Sequence, residues 1–382
     1  MEITDIDVDV VRIGREFGTT SAIKEIEESV FVLLRLTADD GSTGIGEISD
    51  VEHPETMPTT DEIETEVADF LLGEDPREIN RLTDAMYDMI DFGPFDFHSF
   101  QQLALAAVDM ALYDLVGDRF DIPAYQLLGG RTQDVPLCWV VFTRQEPDAA
   151  EALRQEVRTR VDQGFSAFKL KVGEVDPAVD VERIRTVHEI AGDDAQVFVD
   201  AQGVWELEEA IETIERFEEV GIDGVETPVG TPDPNVETRG YYYDVPLVPS
   251  ELATVREAID TPVFEHVLDP QFGIDLAAAE AVDVFTVEVC SGGITRANRI
   301  LNIAEAAGID ARLGSTVELG PGTIAAGSLG AASTAVTYPC DLIGPQVYDE
   351  SIIESGLEYR DGTLSPSEAP GFGLALKDGM FE

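Results

Sequence analysis

The sequence predicts an α/β protein: a closed parallel (β/α)8-type barrel, a modified TIM barrel, preceded by a smaller α+β domain. Three observations carry this. Short apolar runs recur from Val135 onward at the spacing of one strand plus one helix. The first 130 residues follow another rhythm, strands and then helices. Several of the later runs end in charged side chains, where a barrel presents its functional face.

In the N-terminal part, "SVFVLLRLTADDGSTGIGEI" (Ser29 to Ile48) holds two apolar runs joined by "DDGSTG", which reads as a β-hairpin. Three amphipathic or apolar stretches follow as helices: "TDEIETEVADFLL", "DPREINRLTDAMYDMI" and "SFQQLALAAVDMALYDLVG". The last is rich in Ala and Leu and is expected to stop near Gly117.

The barrel runs lie in "LCWVVF", "AFKLKV" (167–172), "QVFVDA" (196–201), "DGVETPV" (223–229), "TPVFEHV" (261–267), "DVFTVEV" (283–289) and "ARLGST" (311–316). "CDLIG" (340–344) is an eighth, weaker run. Between the fourth and fifth lies an extra stretch carrying Tyr241, Tyr242 and Tyr243, read as an insertion at the barrel's C-terminal face. The boundaries are 1–130 for the α+β domain, 131–344 for the barrel, and 345–382 for a turn-rich segment expected to pack back on the first domain.

Composition narrows the function. The 77 acidic residues against 24 basic ones give a net charge of −53, interleaved with 44% hydrophobic residues. Interleaving argues for a folded chain with a heavily solvated surface, as in "ELEEAIETIERFEEVGI". Such a surface repels nucleic-acid phosphates and anionic lipids, so neither is an expected partner. Excess acid with lysine nearly abandoned suggests a halophilic cytosol, where molar salt shortens screening to about 3 Å. Cys138, Cys290 and Cys340 have no paired spacing, and no apolar stretch is long enough to span a bilayer, so a soluble cytoplasmic protein is expected.

Only Lys24, Lys169, Lys171 and Lys377 are lysines, and two of them share "AFKLKVGEV". Two apart on a strand, Lys169 and Lys171 share a face, with Phe168, Leu170 and Val172 on the other. The apolar set suits the helix layer, so the ammonium groups are expected inside the barrel. Asp200, Glu226 and Glu265 sit at corresponding points of the next three runs. Three buried carboxylates need a cation, and an all-oxygen set indicates Mg²⁺ before Mn²⁺. Glu251 competes for the third place. It is set aside because Ser250 reads as an N-cap and Leu252, Val255 and Ile259 recur at helical spacing. His266, next to Glu265, is expected to point away from the site. His98, before a helix of the N-terminal domain, is expected to be structural, although loops of that domain can reach the barrel mouth. Glu318 can either line the site or start a helix.

Crowded, desolvated ammonium groups hold their protons less firmly, which is how a lysine serves as a general base. A metal with such a base suits removal of the proton α to a carboxylate, the Lys-or-His base with Mg²⁺ being a known enolase-superfamily pattern. "TADDGSTGIGE", "AVDMALYDLVGDRFDIPAYQLLGG", "KLK", "VDAQG", "VETPV", "FEHV", "SGGITRANRILNIAEAAGI" and "CDLIGP" occur in the order of that superfamily's mandelate racemase/muconate lactonizing enzyme group. The chain resembles this group over nearly its whole length. The resemblance implies a capping role for the N-terminal domain, Lys171 as base, and Lys169 as its polarising or enolate-neutralising neighbour. It also implies Asp200, Glu226 and Glu265 as metal ligands and a homo-oligomeric assembly.

Departures bear on the reaction. Where the muconate-lactonizing branch has a second lysine on the sixth strand, this chain has Glu288. Where the racemase branch has a histidine ending the seventh, it has Gly314, Ser315 and Thr316, and Gln202 replaces the Asn of Asp-Ala-Asn. Glu288 and Asp341 are the remaining candidate acids, provided burial raises their pKa. The expected function is a Mg²⁺-dependent lyase or isomerase acting on a small carboxylic acid through an enolate. A sugar-acid dehydratase of the same superfamily and a non-catalytic carboxylate-binding barrel are the alternatives.

Overall fold

The computed structural model describes residues 1–21, 24–51, 53–93, 98–130, 133–144, 148–230, 248–267 and 269–381. The N-terminal sheet is an antiparallel meander of β1 (Ile3–Ser21), β2 (Lys24–Ala38) and β3 (Thr43–Ile48). The "VFVLLRL" run of β2 is covered on both faces, with Phe31, Val32, Leu33, Leu34 and Leu36 all buried. Helices α1 (Thr60–Leu71), α2 (Ile79–Met89) and α3 (Phe100–Phe120) pack beside it. Thr59 and Glu62 form a reciprocal capping box at the start of α1.

Strand β3 lies directly on the backbone of α3. A Cβ on Gly46 would stand 1.9 Å from the Ala107 carbonyl oxygen, and one on Gly44 2.2 Å from that of Ala111. Helix α3 runs three residues past the expected stop, to Phe120, because Asp121 rather than a glycine takes the left-handed cap at φ 55°. Gly117 is required by packing instead: Gly371 Cα lies 2.5 Å from the point its Cβ would occupy.

After α4 (Ala124–Leu127) and the short β4 (Val135–Pro136), seven parallel strands follow in spatial order. They are β5 (Trp139–Val141), β6 (Ala167–Lys171), β7 (Gln196–Asp200), β8 (Gly224–Glu226), β9 (Val263–His266), β10 (Val284–Val287) and β11 (Asp310–Leu313). Helices α5 (Ala149–Asp162), α6 (Pro177–Ala191), α7 (Leu207–Glu218), α8 (Pro249–Ala258), α9 (Pro270–Ala278), α10 (Gly293–Ala307) and α11 (Pro321–Ala332) follow successive strands.

The eighth stave is a bridge segment rather than a regular strand. Cys138 N donates to Cys340 O at 2.8 Å and Asp341 N to Leu313 O at 2.9 Å, which joins β11 back to the β5 side and closes the ring. Pro339, immediately before it, has no N–H to extend a ladder. The barrel floor is plugged by Cys138, Ala167, Phe198, Phe264 and Val284, with Tyr338 edge-on to Phe264 at 5.0 Å.

Glu251 lies in the first turn of α8, as expected, although Val248 and not Ser250 holds the N-cap position because Pro249 begins the helix. The insertion with Tyr241–Tyr243 lies outside the described residues.

Past the barrel, β12 (Ile353–Ser355) pairs with β15 (Ala375–Leu376), and β13 (Glu358–Arg360) with β14 (Thr363–Ser365), which also pairs with β4. The same segment bonds the N-terminal domain: Asp349 N donates to Gly14 O at 3.0 Å, and Phe372 N to Asp114 Oδ1 at 2.6 Å. Two buried carboxylates of that domain cap barrel helices. Glu47 accepts from the N–H groups of Leu319, Gly320 and Gly322 at α11, and Asp109 accepts from Thr295 N and Oγ1 at α10. Among the described residues, no helix is long and apolar enough to cross a membrane.

Candidate active site

The C-terminal ends of the staves carry a ring of charged side chains in chain order. Lys169 and Lys171 come from β6, Asp200 from β7, Glu226 from β8, Glu265 and His266 from β9, Glu288 after β10, Arg312 from β11, and Asp341 from the closing segment. Alternation along β6 puts Phe168 and Leu170 in the helix layer and both lysines inside. Lys169 Nζ lies 2.7 Å from Glu226 Oε1, 2.6 Å from Asp341 Oδ2 and 3.6 Å from Asp200 Oδ2. Lys171 Nζ, nearer the mouth, donates to Asp200 Oδ2 at 2.5 Å.

Asp200 and Glu226 are register partners on neighbouring strands. The next strand is offset: Glu226 pairs with Phe264, so alternation brings His266 to the inner face beside it. His266 Nε2 is 3.1 Å from Glu226 Oε1, and Nδ1 makes a 3.3 Å charge contact with Glu288 Oε1. The expectation that His266 points away is therefore corrected, the cause being a one-residue register offset. Glu265 does not stand beside Glu226 at an equivalent point. Its Oε1 accepts from Thr227 Oγ1 and His266 N, both at 2.9 Å.

Burial alone would raise the pKa of Glu288, but His266 and His98 hold it well below the usual carboxylate range, the opposite direction from the one expected of a buried acid. From the N-terminal domain, His98 Nε2 reaches Glu288 Oε2 at 3.1 Å. Asp341 bridges Lys169 and Arg312, hydrogen-bonding the guanidinium Nη2. Arg312 is wholly buried, with its Cζ 5.5 Å from the Phe198 ring centre and 5.8 Å from that of Phe264.

These contacts change the electrostatic account. Burial opposes a charge on His266, but Glu226 and Glu288 push its pKa up to about 10, so it is cationic at neutral pH. Burial likewise raises Glu226, yet Lys169 and His266 bring it well below its ordinary value. The side chains of Asp200, Glu226, Glu288 and Asp341 thus face those of Lys169, Lys171, His266 and Arg312. Glu318 neither starts α11 nor is exposed. Ser315 Oγ and Thr316 N donate to its carboxylate in the turn after β11, and burial raises it to about 7.

Whether the site suits a hard divalent ion turns on its unused oxygens. Among the described residues, no three His, Cys, Asp or Glu side chains already converge as a ligand set. Four buried side-chain oxygens among the described residues nevertheless have no donor, and two of them are Glu265 Oε2, on β9, and Gln202 Oε1, in the turn after β7. These two positions are linked: Gly203 N donates to Thr227 O at 2.8 Å, and Thr227 Oγ1 to Glu265. Carboxylate and amide oxygens next to Asp200 and Glu226 fit Mg²⁺ or Mn²⁺, in competition with the lysines that now hold those carboxylates.

Sequence reading missed Arg312, His98 and His266 as members of this ring. Arg312 had the lysines' own signature, a cation alternating with apolar residues inside a strand. The two histidines had none, because their placement depends on register and on the approach of a separate domain.

The family model described as Mandelate racemase / muconate lactonizing enzyme, N-terminal domain matches residues 5–129, and that described as Enolase C-terminal domain-like matches residues 152–380. The chain is 27% identical to the L-Ala-D/L-Glu epimerase of Bacillus subtilis, over 98% of this chain and 97% of the relative. It is also 27% identical to a chloromuconate cycloisomerase of Pseudomonas putida, with the same coverage. Among solved structures, the 2-chloromuconate cycloisomerase of Rhodococcus opacus superposes with a TM-score of 0.83 at 26% identity, covering 99% of this chain and 98% of that one. The muconate lactonizing enzyme of Pseudomonas fluorescens complexed with muconolactone gives 0.84 at 26% identity, covering 99% and 97%.

Proposed function

The chain belongs to the mandelate racemase/muconate lactonizing enzyme group of the enolase superfamily, and we propose that it isomerises a small carboxylic acid by removing its α-proton with Lys171. One observation carries this reading: Lys169 and Lys171 share the inner face of β6, directly beside the register-paired carboxylates Asp200 and Glu226. Lys171 is the outer of the two, with its side chain 11% exposed against 4% for Lys169, so it is the amine a substrate meets first.

In this reading Asp200, Glu226 and Glu265 hold Mg²⁺, which when bound supplies Lewis-acid stabilisation to the substrate carboxylate and the charge developing on it. Lys171 takes the α-proton as the C–H electron pair moves toward the carboxylate. Lys169, fixed between Glu226 and Asp341, keeps a positive charge beside the enolate that forms. The aromatic plug of Phe198, Phe264 and Tyr338 below closes the barrel floor to water.

The test is α-deuterium uptake from D₂O in a panel of carboxylic acids, with Mg²⁺ present. Uptake should occur in at least one acid and, for at least one of its stereoisomers, fall about 100-fold or more in Lys171→Ala. Uptake that persists unchanged in the variant for every stereoisomer removes Lys171 as base. Binding of carboxylates with neither uptake nor product would favour a non-catalytic barrel.

A further inference from the structure

We propose that His98 is a second acid–base residue, acting on the substrate face opposite Lys171, with Glu288 as its positioning residue. This rests on the reading that Lys171 takes the α-proton.

Topology makes the first part of the case. Around the ring the staves run β5, β6, β7, β8, β9, β10, β11 and the 340–342 segment, so β6 and β10 are the second and sixth of eight. Lys171 and Glu288, at the ends of those two strands, stand on opposite walls of the mouth. A group on the β10 wall therefore addresses the face of a bound α-carbon that Lys171 does not.

The chemistry of that wall decides which group it is. Glu288 is buried, accepts from Ser291 Oγ at 2.6 Å and is bonded to His98 Nε2 at 3.1 Å, with His266 Nδ1 in charge contact at 3.3 Å. A carboxylate so held serves to orient its neighbours, and the groups beside it that can carry a proton to and from carbon are the imidazoles. His266 lies deeper, committed to Glu226 as well. His98 reaches in from above with its side chain 11% exposed, the same degree of opening as Lys171 across the mouth.

Its position is also enforced. His98 has the left-handed φ of 52°, rare for a residue with a Cβ, and its N–H donates to Gln102 Oε1 at 2.8 Å in the first turn of α3. Carboxylate–imidazole contact fixes the ring's orientation. The neighbouring stave leaves this wall to Glu288. A Cβ on Gly314, at the end of β11, would lie 2.8 Å from Thr286 Cγ2 and 3.1 Å from Glu288 Cγ, so a larger residue there would displace the carboxylate.

The proton balance is simple. On one face the C–H bond breaks, its electron pair stays with the enolate, and the proton forms a new N–H bond on Lys171. On the other face an N–H bond of the His98 imidazolium breaks, its pair stays on nitrogen, and the proton joins the enolate carbon. Glu288 remains ionised throughout. No oxidant or further reactant is required.

The test uses the full-length protein with Mg²⁺ in D₂O and both stereoisomers of each probe, L-Ala-L-Glu with L-Ala-D-Glu and the two enantiomers of N-acetylated amino acids. The wild type should deuterate both stereoisomers of at least one probe. His98→Asn and His98→Gln should each lower uptake into one stereoisomer about 100-fold or more while leaving the other within about threefold, and Lys171→Ala should do the reverse. Glu288→Gln should reproduce the His98 pattern, and Glu288→Asp should recover part of it. Circular dichroism checks that each variant folds. Exchange restricted to the Lys171-dependent stereoisomer and untouched by either His98 variant overturns the proposal and leaves the Lys171 reading standing. Equal loss from both stereoisomers in both folded His98 variants also overturns it. Absence of exchange in every probe, or exchange indifferent to Lys171→Ala, overturns the Lys171 reading and this proposal with it.

Discussion

Arg312 shows how much a single buried residue sets at this site. It sits under the lysines, bonded to Asp341 and flanked by two phenylalanine rings, with no route to solvent. Removing one partner of a buried ion pair leaves the other charge uncompensated, which costs about 3–5 kcal/mol. Arg312→Met should lower stability by about 3 kcal/mol in chemical denaturation, even though methionine fills similar volume. A loss below about 1 kcal/mol would mean that Lys169 alone satisfies Asp341. A second residue-scale test concerns the ion. Titration calorimetry with Mn²⁺ should show affinity falling about tenfold or more in Asp200→Asn and in Glu265→Gln. Unchanged affinity in Glu265→Gln would take that residue out of the ligand set.

At the scale of elements, the question is how one domain is held on the barrel mouth so that His98 can reach across. The clasp is made of buried acids meeting helix starts, Glu47 at α11 and Asp109 at α10. Burial raises Asp109 to about 6, against an ordinary 3.8. Its folded pKa is the higher one, so between these values the folded state binds more protons than the unfolded. Stability from this group is therefore full at about pH 4 and is lost as the pH rises toward about 6. Asp109→Asn keeps both bonds to Thr295, because the hydroxyl can accept from the amide, and it does not titrate. The stability of the wild type relative to this variant should fall between pH 4 and 6, then level off. A flat difference across that range would show that Asp109 is ionised at no cost.

For the whole molecule, the net charge of −53 dominates. Self-repulsion over such a surface is relieved as salt shortens the screening length from about 10 Å at 0.1 M to about 3 Å at 1 M. Thermal melts should show a higher midpoint in 3 M than in 0.1 M KCl. Equal midpoints would separate the acidic surface from any adaptation to salt.

At this same scale the legibility of the fold can be judged. The repeated strand-helix spacing and the hairpin could be read because period-two and period-3.6 patterns are local properties of the chain. Lys169, Lys171, Asp200 and Glu226 could be read because each interrupts an apolar strand in a way that burial penalises unless partners exist. Arg312 carries the same mark. The end of α3 is not legible in the same way, because Gly117 answers to the distant Gly371 and not to a helix cap.

By itself, then, the sequence determined the barrel, its partner domain, and the inward-facing lysine pair with two carboxylates beside it. The tertiary structure decided the rest of the ring. Which side chain of β9 faces Glu226 depends on the stagger between strands, and one residue of offset exchanges Glu265 for His266. What stands against Glu288 depends on docking a domain whose contributing residue is 190 positions away in the chain. Register and docking are set by packing across the whole molecule, and a single strand's pattern contains neither.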